Sequence, residues 1–543
     1  MLSMHHFYWH PQRPKTSADV FQVEQELWAV LAGHRASYWR NRGIEPRGPF
    51  SEGAPLYAPL EKEKKEIRLL QVTRLAPFDG NDTRFVAQLV QVTLQDNPTY
   101  VSISYTWGEQ SVVGHFVDSN GVETTLGYSQ VILDIVRTLV PPGGTLYLWI
   151  DAICINQEDH DERASQVMIM SDIYRQAQQV VIFLGMADDA STRAMDLLQL
   201  TRGFIQANGD VLPPLNIEEF EKRSLGAGLN PAYWAAFAQL LCRPWFIRCW
   251  TVQEVALASD AVVVCGHHAV RWDELCQLCR WVVDNNGLLF QVMERHLPVA
   301  SRMAYLEAPF RNPPSIAVAR DLQCAEKDPS ILQQQVLYFC HFRTSDPRDK
   351  IFALLGLALP TDRVDHDLRP NYRIAVEDLY IQVARRILLR DTEILILAAA
   401  GVGHRRSLHL PSWVPDWTSL TEGKTLDEIA AAGNYHTTEH GTRPIVSYDP
   451  QFPKVLTIQG CIVDTISKLS SERLPLGREG RLRYVQDTAA WMEEVIRMTE
   501  PDEAPEIEQP QDSTRGQAQK MSLWKTLTAS GPKSPQATGQ KRG

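Results

Sequence analysis

One acidic side chain lies in a segment that is otherwise almost entirely apolar. Glu254 belongs to "RCWTVQEVALA", residues 248–258, and in a helix Trp250 lies one turn before it and Leu257 and Ala258 one turn after it. A helix that is apolar nearly all round is usually buried. A carboxyl group placed there is either a reactive acid or a structural one that pairs with a buried arginine or caps a loop. The residues leave both interpretations open.

Two other segments supply side chains of types that bind ligands. "SYTWG" carries Tyr105 and Trp107 after an apolar stretch, and "LWIDAICINQ" carries Asp151 where an apolar strand runs out. Ligands of open α/β sheets bind at the carboxyl ends of the strands. The rings of Tyr105, Trp107 and Trp250 are of the kind that stack on flat ligands. The alternatives are ordinary packing for the rings and hydrogen bonds to loop amides for Asp151.

Two groups of acids, histidines and cysteines resemble metal sites but have simpler explanations. "EDHDER" places Asp159 three residues before Glu162, which is the spacing of a capping box at a helix start. In "CGHHAVRWDELCQLC", Cys276 and Cys279 are three residues apart in an apolar helical pattern, and the sequence has no second Cys-x-x-Cys. We therefore expect buried thiols that bind no metal and form no structural disulfide.

Other local patterns indicate structure rather than catalysis. "SDPRDK" predicts a helix start, with Ser345 or Asp346 as the cap and Pro347 in the first turn. No nucleophile elbow, phosphate-binding glycine loop or Ser/His/Asp set is evident in the sequence. Glu254 is left as the one candidate catalytic residue.

Composition limits the class of protein. The 543 residues carry a formal net charge of −11, which argues against a general nucleic-acid binder, because such proteins are basic. Nine cysteines without a dense, regular spacing favour a reducing compartment. The N-terminus has no signal-peptide core, and runs such as "ILILAAAGV" fall short of the ~20 residues that span a bilayer. We expect a cytoplasmic protein with no membrane span.

Strand and helix patterns alternate from residue 66 onward. The apolar runs at residues 99–105, 145–151 and 179–184 are continuous, which is typical of parallel strands covered on both faces. Such alternation predicts an α/β fold with an open, mostly parallel sheet. The predicted organisation is an N-terminal helix and linker at 1–65, the α/β domain at 66–285, a mainly helical C-terminal lobe at 286–495 and a disordered tail at 496–543.

Three linked motifs resemble a known family. "YVSISYTWGE", "LWIDAICINQEDHDERASQVMIMSDIYRQAQQVVIFLG" and "RPWFIRCWTVQEVALA", in this order, are similar to the fungal heterokaryon-incompatibility (HET) domain over about residues 99–258. The later "SDPRDKIFALLGL" and "LPSWVPDWT" look like segments that accompany this domain in long fungal proteins. The resemblance implies a role in non-self recognition and in programmed cell death after unlike hyphae fuse.

HET domains are in turn distantly similar to TIR domains, some of which cleave NAD. That resemblance implies a flavodoxin-like sheet and assigns the positions of the TIR pattern to Ser104 and Tyr105, to Asp151 onward, and to a Trp-x-x-x-Glu helix with Trp250 and Glu254. Glu254 would be the catalytic acid, NAD the substrate, and no cofactor is implied. This sequence departs from the TIR pattern by a long insertion between residues 185 and 240.

The chemistry of NAD cleavage suits a single carboxylate. Breaking the nicotinamide–ribose bond passes through an oxocarbenium-like state, and nicotinamide leaves from a ring that is already cationic. A carboxylate on the ribose side in a dry site would therefore suffice. The competing hypothesis is a non-enzymatic module that self-associates and recruits other cell-death effectors. The lack of a second unambiguous catalytic residue favours that alternative.

Overall fold

The structure is a computed structural model. It describes residues 57–458 except residues 76–84, 109–110, 118–122, 210–211, 213–214, 298–307, 325–331, 359–367, 391–395, 401–407, 420–445 and 448–453. The helix predicted before residue 57 and the tail predicted at 496–543 lie outside the described residues.

A nine-stranded sheet forms the centre of the described part of the chain, in the order β5-β4-β2-β1-β6-β3-β7-β8-β9. Its strands are β1 (Glu66–Arg74), β2 (Phe85–Thr93), β3 (Val101–Tyr105), β4 (Gly114–Val117), β5 (Glu123–Tyr128), β6 (Thr145–Trp149), β7 (Gln179–Phe183), β8 (Ala261–Cys265) and β9 (His268–Arg271). A separate two-stranded pair, β10 (Val446–Ser447) and β11 (Thr457–Ile458), comes later.

Parallel pairing is concentrated in the middle of the sheet. Strands β6, β3, β7 and β8 pair in parallel in that order. The β1–β2, β1–β6, β4–β5 and β8–β9 pairs are antiparallel, and β2–β4 is parallel. Every residue of β3, β7 and β8 is buried, because helices cover both faces of this region. The predicted α/β fold with an open sheet is confirmed, and the sheet is mixed at its flanks.

The strand ends differ from the predicted ones where the apolar run continues into a helix. The predicted strand at 145–151 ends at Trp149, and a short helix runs from Asp151 to Cys154. The Ile150 carbonyl already accepts hydrogen bonds from the backbone of Ile153 and Cys154. An apolar run does not by itself distinguish a buried strand from a buried helix, which explains the error.

Strand β9 was not predicted, since "AVVVCG" was interpreted as the last strand. Cys265 pairs with His268 across a two-residue turn, and Gly266 in that turn has φ +55°. A Cβ atom at Gly266 would lie 2.6 Å from the Cβ of Ala187. Glycine is therefore required on both steric and conformational grounds, and it allows the chain to turn back along β8.

Helices surround the sheet and continue beyond it. Up to residue 296 they are α1 (Gln130–Leu139), α2 (Asp151–Cys154), α3 (His160–Gln176), α4 (Asp189–Asn208), α5 (Ile217–Gly226), α6 (Ala232–Leu241), α7 (Trp250–Ala256), α8 (Trp272–Asp284) and α9 (Asn286–His296). The later ones are α10 (Ala308–Cys324), α11 (Leu332–Tyr338), α12 (Asp349–Leu355), α13 (Val376–Arg390) and α14 (Ile396–Ala399).

The region after residue 285 is helical, as predicted. Helix α10 packs against α7 and α8, and the thiol of Cys276 in α8 donates to the carbonyl of Pro313 in α10, 3.3 Å away. The proposed boundary between residues 285 and 286 stays a prediction. Within the described ranges, none of the helices has both the length and the apolar character needed to cross a bilayer.

The two predicted helix starts are only partly correct. The Asp159 carboxylate accepts from the backbone of Asp161 and Glu162 and caps α3, but Glu162 binds Arg68 instead of completing a capping box. Helix α12 begins at Asp349 without a side-chain cap. The Asp346 carboxylate accepts from the amide and the guanidinium of Arg348, so it forms a turn before the helix rather than its cap.

Candidate functional site

Helix α7 carries Glu254 to the carboxyl end of the central strand β3. All residues of α7 after Trp250 are buried, and Glu254 is 3% exposed. Its carboxylate accepts a hydrogen bond from the hydroxyl of Ser104, the next-to-last residue of β3. The 185–240 insertion forms α4, α5 and α6 between the parallel neighbours β7 and β8. It therefore does not separate Glu254 from the strand ends.

A hydrogen-bond chain fixes the direction of the Ser104 hydroxyl. The indole Nε1 of Trp245 lies 2.8 Å from the Ser104 oxygen, and an indole N–H is only a donor. Ser104 must therefore accept from Trp245 and direct its own proton to Glu254. Both Ser104 and Trp245 are 1% exposed. Trp245 was not predicted as a site residue, because an aromatic residue after Pro244 has the pattern of ordinary core packing.

Burial raises the pKa of Glu254 to about 7, with a smaller contribution from the negative charge of Asp151. The positive charge of Arg248 and the hydrogen bond from Ser104 oppose this rise. No lysine or arginine nitrogen within the described ranges lies within 4 Å of the Glu254 carboxylate. Glu254 is thus a buried acid close to half-ionised at neutral pH, without a direct ion-pair partner there.

Asp151 and Trp107 lie together at the same edge of the sheet. The Trp107 indole Nε1 donates to Oδ2 of Asp151 over 2.8 Å, and the Ala152 amide donates to Oδ1 over 2.8 Å. Burial raises the pKa of Asp151, while the Trp107 bond and the charge of Arg248 lower it. Both side chains are partly exposed, so they form the solvent-facing side of the cluster.

Tyr105 is buried beneath this pair. Its hydroxyl makes no well-formed hydrogen bond with the part of the chain that the structure describes. Burial raises the pKa of Tyr105, and the nearby negative charge of Asp151 raises it further. The backbone carbonyl of Tyr105 accepts from the guanidinium of Arg248. The Tyr105 hydroxyl therefore lies close enough to the Asp151 carboxylate for each group to shift the pKa of the other.

Arg248 is the cation of the cluster and was not predicted from the sequence. It precedes α7 in the quoted "RCWTVQE" segment, and its positive charge lowers the pKa of both Asp151 and Glu254. The signal available in the sequence was a single basic residue six positions before the acid. The spacing of Arg248, Asp151 and Glu254 along the chain does not indicate that the arginine faces both carboxyl groups.

Trp250 points to a different part of the molecule. Its indole Nε1 donates to Oδ2 of Asp349, at the start of α12, over 3.0 Å. The structure thus brings Tyr105, Trp107, Asp151 and Glu254 together, and it bonds the Trp250 N–H to the helix that follows "SDPR". Stacking of Trp250 on a ligand stays a prediction.

The cysteine and histidine segment has the geometry of a packed core. Cys276 and Cys279 lie on one helix, α8, and are buried with free thiols. His268 lies in β9, and burial lowers its pKa. Over the described ranges, no group of three or more His, Cys, Asp or Glu side chains has a metal-binding arrangement.

The cluster combines charged groups with an aromatic ring. Two carboxyl groups lie at one strand edge, the charge of Arg248 lowers the pKa of both, and the partly exposed Trp107 ring is of the kind that stacks on flat ligands. Glu254 itself is almost fully covered, so a ligand could contact its carboxylate only after neighbouring side chains move.

Comparison with known proteins supports the resemblance found in the motifs. Residues 100–254 match the family model described as "Heterokaryon incompatibility protein (HET)". The chain is also similar to "Heterokaryon incompatibility protein 6, OR allele" of Neurospora crassa, with 29% identity over 382 residues, 59% of this chain and 53% of that protein. The chain thus spans about half the length of this relative. No solved structure gives a significant match.

The matched range begins at Tyr100, before β3, and ends at Glu254 in α7. It contains β3, β6 and β7 of the four central parallel strands and every residue of the cluster from Ser104 to Glu254. Residues 100–254 therefore match the heterokaryon incompatibility (HET) family, and a longer part of the chain is similar to a fungal incompatibility protein.

Proposed function

We propose that this protein acts in heterokaryon incompatibility, where it triggers programmed cell death through its HET domain by cleaving NAD. The match to the HET family and the similarity to a Neurospora incompatibility protein support the role in non-self recognition. The observation that supports the chemistry is the buried carboxyl group of Glu254, held by Ser104 at the carboxyl end of the central strand. The distant similarity of HET domains to TIR domains, some of which cleave NAD, is part of the argument for this chemistry.

The reaction breaks the bond between ribose C1′ and the nicotinamide nitrogen. The electron pair of that bond goes to the pyridinium ring and neutralises it, so no acid has to protonate the leaving group. Water attacks C1′ and releases a proton, which yields ADP-ribose and nicotinamide. Ionised Glu254 would bind the ribose hydroxyls and stabilise the positive charge at C1′, which is most effective in a water-poor site.

The neighbours of Glu254 have consistent roles in this scheme. Ser104 and Arg248 favour the ionised carboxylate, which is the form the mechanism needs. Trp107 and Tyr105 would contact the nicotinamide or adenine ring, and Asp151 would bind a hydroxyl or the cationic ring. Stacking of the partly buried Trp250 ring on the ligand belongs to the same proposal. Because the pKa of Glu254 is about 7, activity should rise with pH through neutrality.

The alternative function is a self-associating module that recruits other death effectors or a protein partner of the incompatibility pathway. One observation favours it: Glu254 is only 3% exposed, as expected of a structural carboxyl group. In that case the charge of Glu254 would have no role in cell death, and the two functions make opposite predictions for a neutral replacement.

The test is cellular NAD content and viability after expression of the wild-type chain and of Glu254→Gln. Loss of an electrostatic contribution of this kind costs roughly 10²–10³ in rate, so the variant should keep NAD near the uninduced level and lose toxicity. The matched control is Glu221→Gln, because Glu221 pairs with Arg295 and His296 away from the site. A soluble Glu254→Gln protein that is fully toxic and depletes NAD would refute the role of this residue.

If cells die while their NAD content is unchanged, the alternative function, a self-associating interaction module, would be correct. Purified wild-type protein should also release nicotinamide from NAD in vitro. An equal loss of NAD in the Glu221→Gln and wild-type cultures is required for the comparison to hold.

A further inference from the structure

The chain on both sides of residue 248 is bonded to a much later part of the sequence. The Asn312 side-chain amide donates to the carbonyl of Phe246 over 3.0 Å. The Arg343 amide donates to Ile247 over 2.6 Å, and the Cys249 amide donates to the Arg343 carbonyl over 2.9 Å. Arg343 therefore adds a parallel bridge to the segment that carries Arg248, and this segment leads directly into α7.

The first turn of α7 is bonded to α12. The Trp250 indole and the Tyr372 hydroxyl both donate to the Asp349 carboxylate, over 3.0 Å and 2.8 Å. The guanidinium of Arg163, on α3, lies 4.1 Å from the centre of the Tyr372 ring. Asp349 is 8% exposed, so this junction is an interior contact that joins α3, α7 and α12.

The second half of α7 is enclosed as well. Gly356, just after α12, lies directly against the Gln253 side chain, and a Cβ atom there would overlap it. The Arg320 guanidinium, on α10, donates to the carbonyls of Ala258 and Ser259 over 3.2 Å and 3.1 Å. These bonds fix the chain just after the C-cap residue of α7, where it leaves the helix toward β8.

Helix α7 needs this support because it is short. It has seven residues, and its N-cap residue, Cys249, makes no capping bond with its side chain. An isolated helix of this length is not stable in water, so packing determines where Glu254 lies. The HET family match ends at residue 254, inside the helix. The supporting residues lie beyond it.

We propose that residues 308–324 and 332–357 form the part of the structure that positions Glu254, and that Asp349 is a positioning residue that fixes α7 through the indole of Trp250. The inference rests on the proposed role of Glu254 for its functional consequence, but its structural part is testable alone. The similarity to the Neurospora relative is much longer than the HET match. This agrees with a functional unit that extends past the domain.

The test uses the full chain with Asp349→Asn and Trp250→Phe. Trp250→Phe removes the indole N–H and leaves the charge of Asp349, so it separates positioning from electrostatics. The control is Asp416→Asn, because Asp416 is buried at 3% exposure and its carboxylate bonds to the amides of Leu408 and Thr418 instead of to the Trp250 indole. All three changes should lower the melting temperature.

The deciding measurement is the protonation midpoint of Glu254. It is obtained from the pH dependence of the difference in melting temperature between each protein and the same protein with Glu254→Gln. The midpoint should lie near 7 in the wild type and in Asp416→Asn. In Asp349→Asn and Trp250→Phe it should fall by roughly one pH unit, because a displaced α7 lets water reach the carboxyl group.

Activity supplies the second measurement. For NAD cleavage, kcat should fall roughly 10- to 100-fold in Asp349→Asn and Trp250→Phe with little change in KM, as expected when a reacting group is displaced. If the wild type cleaves no NAD, the proposed function fails while the midpoint still tests the positioning. A midpoint that stays at the wild-type value in both variants, with a melting temperature lowered as in Asp416→Asn, would overturn the inference.

Discussion

At Glu254, loss of hydration and electrostatic attraction act against each other. Burial stabilises the protonated acid, while Arg248 and the Ser104 hydroxyl stabilise the carboxylate. Because neither effect dominates completely, the pKa settles near neutrality instead of several units higher. A group in this condition exchanges its proton within the physiological range. Glu162 is also a buried carboxylate, but it differs from Glu254 in having a direct arginine partner, Arg68.

The first prediction is that Glu254→Gln stabilises the protein at high pH. The folded-state pKa is about 7 and the ordinary value is 4.5, so the folded state holds the proton more tightly. The stabilisation that the folded state gains by binding this proton more tightly is fully present below pH 4.5 and is lost as the pH rises through 7. The loss amounts to about 3 kcal/mol. In urea unfolding, the stability of the Glu254→Gln protein relative to the wild type should increase from pH 5 to pH 8.

The same experiment has a clear opposite outcome. If an arginine neutralised Glu254 directly, removing its charge would leave that arginine uncompensated and would cost roughly 3–5 kcal/mol. A Glu254→Gln protein that is less stable than the wild type at pH 8 would therefore point to a structural ion pair.

The second prediction concerns Ser104, whose hydrogen bond favours the ionised carboxylate. Ser104→Ala should raise the pKa of Glu254 and move the pH dependence of NAD cleavage to higher pH. It also leaves the Trp245 N–H without its acceptor, at a cost of about 1–3 kcal/mol. The matched control is Ser102→Ala in the same strand, because the Ser102 hydroxyl is buried without a described partner. The control should leave the pH profile unchanged.

At the scale of elements, the sequence predicted what depends on local pattern. Continuous apolar runs indicated β3, β6 and β7 and their parallel pairing, because both faces of such strands are covered. The missed features depend on partners far away in the chain. Strand β9 forms because Gly266 fits against Ala187. Glu162 does not complete the capping box because its carboxylate accepts a hydrogen bond from Arg68 of β1 instead.

The candidate site shows the same difference between residues that local pattern predicts and residues that only distant contacts reveal. Tyr105, Trp107, Asp151 and Glu254 were identified from strand ends and the resemblance, and the structure brings them together. Trp245 and Arg248 were missed, since only the folded chain shows that one bonds Ser104 and the other faces two carboxyl groups.

The third prediction compares the two acids at the start of α3. Glu162→Gln should destabilise the protein by roughly 3–5 kcal/mol, because Arg68, 1% exposed, would keep its charge without a partner. Asp159→Ala removes only the cap of α3 and should destabilise the protein clearly less. Free energies of unfolding from urea titrations decide between them. Equal losses of unfolding free energy in the two variants would mean that the Arg68–Glu162 pair is not the main interaction between β1 and α3.

At the scale of the whole molecule, the HET match and the folded unit do not coincide. The family match ends inside α7, and the bonds that hold this helix come from residues 308–324 and 332–357. Apolar contacts also cross the predicted boundary at residue 285. Phe237 of α6 packs on Phe310 of α10 with ring centres 5.8 Å apart. A HET domain cut at its family boundary would thus lose part of its own core.

The last prediction is that a chain ending at residue 285 does not fold cooperatively. It would expose the faces of α6, α7 and α8 that α10 and α12 cover. Each large apolar side chain so exposed costs about 1.5–3 kcal/mol, so three of them cost about 4.5–9 kcal/mol, which is comparable to the whole stability of about 5–15 kcal/mol typical of a domain. Low soluble yield and a broad melt are expected, against a sharp melt for the full chain. A 1–285 fragment that melts sharply near the full-length temperature would instead establish residue 285 as a true domain boundary, and α10 and α12 would then be dispensable for holding Glu254 in place.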